Sequence, residues 1–331
     1  MKSPPRVPGR IQRALSDPSW ENRYLALKQL PRLLARLSRD GALDWVRRSS
    51  RDSRLAIRCL AATVLGEIAR KWPEEAVLDV LVPLTRDDDP WVRLRAVQAL
   101  ACLPAPLAAE PVRQVLIREK DLRVRATTVK TLGSFADPAH LPLLISFLAD
   151  PDARVRANTV EGLGHFDAAM VAELLLPCLD DPSPRVMVNA ARELYRFNRE
   201  RALRTFQSLA ESDRPGARAS VAHAVGALQE PALLDLLIKL VTDPVEQVRR
   251  NAVGSLARLG SRAEPRALAL LSDPRREVRV AACQVLGRVG GPESYTQLLE
   301  LLSDVDGDVR GACERALSLL ELRFAGEEVD E

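Results

Sequence analysis

A ten-residue pattern returns at a nearly constant interval along this chain, and that periodicity limits the possible fold more than any other feature. Val155-Arg156-Ala157-Asn158-Thr159-Val160-Glu161-Gly162-Leu163-Gly164 is echoed by Ile57-Arg58 through Leu65-Gly66, Val124-Arg125 through Leu132-Gly133 and Val278-Arg279 through Leu286-Gly287. With the Arg as position 0, the anchors are Arg23, Arg58, Arg93, Arg125, Arg156, Met187, Arg218, Arg249, Arg279 and Arg310. Their spacings are 35, 35, 32, 31, 31, 31, 31, 30 and 31 residues. Ten such repeats use nearly all of the 331 residues. A length that would ordinarily suggest two domains therefore reads as one continuous array.

The other columns keep the same register. Position −6 is Asp in eight repeats, and Pro follows it in five. Position −1 is Val in seven, and position +7 is Leu or Val in all ten. Position +8 is Gly in five, which reads as a helix stop. A Leu-rich first helix, such as His140–Ala149 or Ala232–Val241, is expected to end near Asp-Pro, since Pro cannot continue a helix. The second helix is expected to start at −3 or −2. Units of two helices bury their faces on their neighbours and stack. The expected fold is all-α, a solenoid of about ten two-helix repeats.

On a helical wheel, positions −1, +3, +4 and +7 of the second helix form one apolar stripe. Small residues at +3 (Ala26, Ala61, Ala96, Ala190, Ala252, Ala282) allow close helix approach. The anchor Arg lies inside that stripe, where a charge requires a partner. The Asp at −6 is the candidate, within or between repeats, because the planar Arg fork holds a carboxylate through two bonds. Asp150 with Arg156, Asp243 with Arg249 and Asp273 with Arg279 exemplify the two columns. Repeat six departs from them, with Met187 six residues after Asp181. The competing reading is a ladder of phosphate-binding arginines.

Position +5 is the centre of the exposed face of the second helix, flanked by +1 and +2. Second helices usually line the concave side of stacked pairs, so these rows are the expected partner surface. The +5 row contains Lys28, Gln98, Lys130, Glu161, Arg192 and His223, and the +2 row contains Arg95, Asn158, Asn189 and Asn251. The rows vary where the core columns do not, as a specific binding face or an unconstrained solvated face would. The Asn residues would also serve as hydrogen bonds between adjacent helices.

The unit D-P-x-x-x-V-R-x-x-A-[VA]-x-x-L-G, best seen in Asp150–Arg156 and Asp273–Arg279, resembles the HEAT repeat, and within it the short bacterial form named for phycobilisome lyases. The resemblance runs from about Gly9 to Leu322. It implies an armadillo-type right-handed superhelix of helical pairs, usually a protein-interaction scaffold. The motif is informative about fold and nearly silent on function.

Some proteins with related repeats do chemistry. Deoxyhypusine hydroxylases resemble this repeat and carry His-Glu pairs as iron ligands. Here His140, His165 and His223 precede Leu141, Phe166 and Ala224, so no such pair exists. Bilin lyases of the resembling type leave a chaperone-like pocket open as an alternative. Cys283 and Cys313 fall on core columns and are expected to be packed side chains. No P-loop, G-x-G-x-x-G, G-x-S-x-G or H-E-x-x-H motif occurs, so no catalytic residue, metal or cofactor is expected.

Net charge is +3, but it is uneven. Residues 1–72 hold 16 basic and 6 acidic side chains, and residues 73–331 hold 32 and 39. All four tryptophans, Trp20, Trp45, Trp72 and Trp91, lie in the first 91 residues, as does Tyr24. This basic, aromatic third is either an atypical solenoid cap or a docking site with the Trp and Arg mix of interface hot spots. Trp20, Tyr24, Trp91 and Arg95 are its candidate contacts.

The expected organisation is an extension at 1–9, a single solenoid at 10–322 (atypical repeats at 10–104, regular ones at 105–322) and an acidic tail at 323–331. The expected function is a non-catalytic, monomeric cytoplasmic scaffold or adaptor for another protein, one with an acidic surface being favoured. Nucleic acid is the alternative partner. Against it stand a mild pI of about 8.7 and only 6 Lys beside 42 Arg. No apolar run reaches the roughly 18–20 residues of a membrane span, and no secretory h-region begins the chain. Five Cys without a C-x-x-C pair fit a reducing compartment.

Overall fold

A computed structural model describes residues 13–327; the expected extension at 1–9 and the last four residues of the acidic tail lie outside them. The chain folds into helices alone over the described residues. Repeat one contributes α1 (Trp20–Leu33). Repeats two to five contribute α2 (Arg39–Ser49) and α3 (Leu55–Lys71), α4 (Glu75–Leu84) and α5 (Pro90–Leu100), α6 (Ala105–Arg118) and α7 (Leu122–Ser134), α8 (Leu141–Ser146) and α9 (Ala153–Leu163). Repeat six contributes α10 (Ala168–Leu175) and α11 (Pro184–Leu194). Repeats seven to ten contribute α12 (Arg199–Ala210) and α13 (Pro215–Leu228), α14 (Leu234–Leu240) and α15 (Glu246–Arg258), α16 (Glu264–Leu270) and α17 (Arg276–Val289), α18 (Pro292–Glu300) and α19 (Gly307–Glu327). The array is not one uniform body: a first compact block ends at Leu175 and a second begins at Leu176, a division that falls inside repeat six.

Every second helix begins at position −3, because the turn before it is built the same way ten times. The side chain at −6 accepts the backbone N–H at −4, as in Asp87 to Asp89 (3.0 Å), Asp150 to Asp152 (2.8 Å) and Asp243 to Val245 (2.8 Å). Glu119 and Ser212, the two residues that break the Asp column, make the same bond to Asp121 (2.9 Å) and Arg214 (3.2 Å). The turn is thus a side-chain-closed loop that feeds directly into a helix N-terminus. A residue at −4 often caps that helix in turn, as Asp121 and Asp152 do.

The first helices of later repeats are shorter than their Leu-rich sequence suggests. The expected His140–Ala149 helix is α8 followed by a 3-10 turn at Phe147–Ala149, and Ala232–Val241 narrows to α14 after a 3-10 turn at Pro231–Leu233. At the other end, α19 reaches Glu327, into the segment expected as tail.

The core is a row of Leu, Val and Ala layers between successive second helices. The +7 leucines Leu30, Leu65, Leu100, Leu132, Leu163 and Leu286 are wholly buried. Each such burial contributes roughly 1.5–3 kcal/mol.

Of the five glycines at +8, Gly164 ends α9 as expected, but the other four are not helix stops. Gly66, Gly133, Gly226 and Gly287 lie inside their helices and mark contact with the next repeat. Each faces a small residue at +6 of the following second helix. A Cβ on Gly133 would lie 2.4 Å from Gly162 Cα, and one on Gly287 would lie 2.8 Å from Ala316 Cα. On Gly226 it would lie 2.2 Å from Ser255 Cβ. Backbones this close leave no room for a methyl group. Gly133→Ala is therefore expected to cost about 2–4 kcal/mol through overpacking against backbone. Gly254, also helical, has nothing within 4 Å of its would-be Cβ. Gly254→Ala is expected to gain about 0.5–1 kcal/mol. Thermal melts of the two variants, moving in opposite directions, check the assignment.

Candidate interaction surface

The anchor Arg connects two repeats. In Arg218, Nη1 donates to the Ser212 carbonyl of its own turn (2.7 Å), while Nε and Nη2 hold the Asp243 carboxylate of the next repeat (2.6 and 3.0 Å). The same forward fork joins Arg23 to Asp52, Arg58 to Asp87, Arg93 to Glu119 and Arg279 to Asp304, all at 2.7–2.8 Å through Nε. Arg125 to Asp150 is looser at 3.2 Å. Within one repeat, the Arg meets the backbone rather than the carboxylate. Arg156, Arg249 and Arg279 donate to the carbonyls of Asp150 (2.9 Å), Asp243 (2.7 Å) and Asp273 (3.0 Å). The within-repeat ion pairs considered from the sequence are thereby corrected. The guanidinium lies over its own turn and its fork projects past it, so the carboxylates of Asp150 and Asp243 face Arg125 and Arg218 instead.

This forward rule relocates the gap at repeat six. Met187 looks to position −6 of repeat seven, which is Ser212, so cation and anion are missing together. Glu119 is the converse case. It substitutes for Asp, with 4% of its side chain exposed, and keeps both bonds to Arg93 at 2.8 Å.

These pairs are partly buried. Arg218 and Asp243 retain 13% and 5% side-chain exposure. Burial alone would raise the Asp243 carboxyl, but the bonds from Arg218 and the Val245 N–H outweigh it and hold it below the usual range. The Asp243 bond raises Arg218 in return. Such bonded arginines are committed to stacking, which contradicts the phosphate-ladder reading for those positions.

The +2 row is also largely structural. Asn158 donates to the Ala126 carbonyl (2.7 Å) and Asn251 to the Ala219 carbonyl (3.0 Å), tying each second helix to the previous one. Asn251 additionally accepts from Gln247 (2.9 Å). Both are corrected from candidate contacts to interhelical bonds, because their amides are already used. Asn189 is half-buried on α11 and is likewise bonded.

The +5 row remains at the surface. Lys28, Gln98, Lys130 and His223 are exposed, and Glu161 and Arg192 are half-buried. Lys130 pairs with Glu161 of the next repeat at 2.9 Å, Arg192 with Glu193 at 2.5 Å, and Arg95 donates to Gln98 at 3.0 Å. Of the aromatic group, Trp45 is core, whereas Trp91 is 46% exposed with the Arg123 guanidinium 4.5 Å from its ring centroid. Half-buried Trp20 meets Tyr24 edge to face at 6.5 Å, and Arg54 lies 5.9 Å from its ring. The structure therefore separates two surface aromatic and Arg clusters, around Trp20 and Trp91, from a buried Trp45.

Cys283 and Cys313 are buried in the core of repeats nine and ten, with sulfurs 3.1 Å apart. Among the described residues no group of His, Cys, Asp or Glu could hold a metal ion. No described helix is long and apolar enough to cross a membrane.

The HEAT-repeat family matches residues 7–102, 109–186, 172–250 and 235–318. The chain belongs to that family. Its fold is the HEAT solenoid, and yeast importin-beta is a similar solved structure, with a TM-score of 0.62 at 14% identity. That match covers 94% of this chain and 51% of importin-beta. The CpcE–CpcF complex of phycocyanin lyase from Nostoc is also similar, at 22% identity and a TM-score of 0.45, over 84% of this chain and 94% of that one. No curated protein matches the chain.

The ladder makes a test from the chain's own exception. Asp243→Ser alone strands Arg218 and is expected to cost about 2–4 kcal/mol. Adding Arg218→Met copies the natural Met187 and Ser212 arrangement and is expected to bring the total below about 1.5 kcal/mol. Thermal unfolding of the singles and the double checks this; additive losses would refute forward pairing.

The sign with pH follows from the lowered Asp243 carboxyl. Its contribution is complete above the unfolded value of about 3.9 and disappears as pH falls through the lower folded value. The double variant should therefore lose less melting temperature than the natural chain between about pH 5 and pH 3.

Proposed function

We propose that this chain is a non-catalytic scaffold that binds another protein across the exposed faces of its second helices. One observation carries the reading: the arginine ladder and the interhelical Asn bonds absorb the recurring columns, while Lys28, Gln98, Lys130 and His223 of the variable +5 row stay exposed. HEAT solenoids commonly act as protein-interaction scaffolds, and the resemblance points the same way. Within each block, register along the face is fixed by the paired turns behind it. A rigid row of differing side chains at fixed spacing can complement a partner at low ordering cost.

In the first block, the clusters around Trp20 and Trp91 supply aromatic anchors beside Arg. That is the residue mix of interface hot spots. Basic charge in the N-terminal third favours a partner with an acidic surface by steering encounter.

The test is a quantitative capture experiment. Partners retained by the natural chain are identified by mass spectrometry and compared with those of the triple variant Trp20→Ala, Tyr24→Ala, Arg95→Ala. Tyr24 and Arg95 carry no ladder bond, and helix content by circular dichroism should be unchanged. Loss of at least about 2 kcal/mol of affinity for a partner is expected, as for hot-spot truncation. Retention of every partner at undiminished affinity would place the contact elsewhere.

A further inference from the structure

In repeat eight the ladder has a fork with no carboxylate in it. The forward partner of Arg249 by position is Asp273, but Asp273 is taken by Arg275 of its own turn, through Nε to Oδ1 (3.0 Å) and Nη2 to Oδ2 (2.9 Å). Arg249 keeps the usual backbone bonds of Nη1, to the carbonyls of Asp243 (2.7 Å) and Pro244 (2.9 Å). Among the described residues, no carboxylate meets its Nε or Nη2. The ladders on either side, Arg218 to Asp243 and Arg279 to Asp304, are complete.

The same residue lines the second-block groove between α15, α17 and α19. This hollow has a volume of about 650 Å³ and continues into another of about 410 Å³ that also contains Arg249 and Arg315. Aliphatic side chains form much of its lining, among them Val253, Val280 and Leu319. The two nearby glutamates are already engaged, Glu246 with Arg250 (2.6 Å) and Glu277 with Arg276 (3.1 Å). Arg288 and Arg315 have no carboxylate partner among the described residues. The groove therefore combines an apolar floor with three cations not neutralised by a pair.

We propose that Arg249 is an anion anchor on the second-helix face, receiving a Glu or Asp side chain of a protein partner whose neighbouring aliphatic residues occupy the groove. This rests on the scaffold reading and gives the partner's chemistry at one site. The ladder itself supplies the precedent: wherever its fork is complete, a bidentate carboxylate fills the position that is empty at Arg249. A carboxylate beside aliphatic groups suits the groove better than a phosphodiester strand, because the lining places Val253, Val280 and Leu319 next to the arginines, and a continuous line of anions would offer those side chains nothing but charged phosphates to cover.

Arg275 has a positioning role in this account. By holding Asp273, it keeps the fork of Arg249 open. Removing Arg275 leaves the groove lining untouched but frees Asp273 to close the ladder, so it should abolish the site from a distance.

The test uses the full chain and a fluorescein-labelled twelve-residue peptide of Glu and Leu at helical spacing, followed by anisotropy at low salt. Replacing Glu by Gln in the peptide should weaken binding about ten-fold, as should Arg249→Gln in the protein, the scale of one charge-assisted pair. Arg275→Ala should weaken it to a similar extent while the melting temperature holds or rises. A merely structural role for Arg275 would not produce that combination. Circular dichroism verifies that each variant is folded. The proposal is overturned if the peptide shows no binding at millimolar concentration, or if either protein variant binds it as the natural chain does. It is also overturned if inorganic phosphate or single-stranded RNA displaces the peptide at lower concentration than free glutamate-rich peptide does. Indifference to Arg249→Gln together with loss of partner capture in the Trp20, Tyr24, Arg95 variant would remove this site and leave the scaffold reading intact.

Discussion

A guanidinium fork that grips its own turn with one nitrogen and the next repeat with two others sets the rest of this structure. Arg218 shows the full arrangement: one bond to the Ser212 carbonyl and two to the Asp243 carboxylate. The acceptor, Asp243, simultaneously closes the turn that starts α15. Turn formation and repeat stacking thus share the same atoms. A turn that has not closed cannot present its carboxylate correctly, and an unstacked repeat leaves a partly buried charge without compensation. Local and long-range order are thereby made to agree, the consistency expected of a sequence that specifies one fold.

The second constraint is steric. Once the fork fixes the offset between neighbours, the +8 position of one second helix lies against +6 of the next. Gly133 on Gly162, Gly226 on Ser255 and Gly287 on Ala316 are the result. Ala at +3 and the buried Leu at +7 complete the layer. The poverty of aromatics follows, since helices this close have little space for rings. A few aromatics are accommodated inside, among them Trp45 and Phe206, whereas Trp20 and Trp91 lie partly or largely at the surface.

The fold was legible because periodicity survives substitution. Ten anchors in register identify helical pairs even with Met187 in the Arg column and Glu119 in the Asp column. The direction of pairing was not legible. Two columns with the same period are equally close within a repeat and between repeats when only sequence is compared, and the choice depends on where the Arg stem lies. The reading of +8 as a helix stop holds at Gly164 and fails at the other four glycines for a similar reason. Gly marks both a left-handed C-terminus and a close helix contact, and only the Ser, Ala or Gly at +6 of the following repeat distinguishes them. That second signal was present at Ser255 and Ala316. The Asn residues of the +2 row looked like contact residues because their carbonyl acceptors belong to the backbone, which has no sequence signature. The open fork at Arg249 has no signature in the sequence, since Asp273 is in its column and only its capture by Arg275 reveals the gap.

The separation along the chain between the ladder's partners is 29 residues for Arg23 and Arg58, 26 for Arg93, and 25 for Arg125, Arg218 and Arg279. The turn chemistry is the same at every length, so the residues gained or lost lie between the anchor Arg and the next turn, and part of the gain lengthens the second helix itself, Leu55–Lys71 against Ala153–Leu163. The end of the second helix, the first helix and their connections are therefore a region of insertion tolerance, separated from the paired turns by the clasp. A lineage of such chains can lengthen, shorten or recharge one side of each repeat while the side chains on the other keep their spacing. Architecture of this kind separates the rate at which its two faces can diverge.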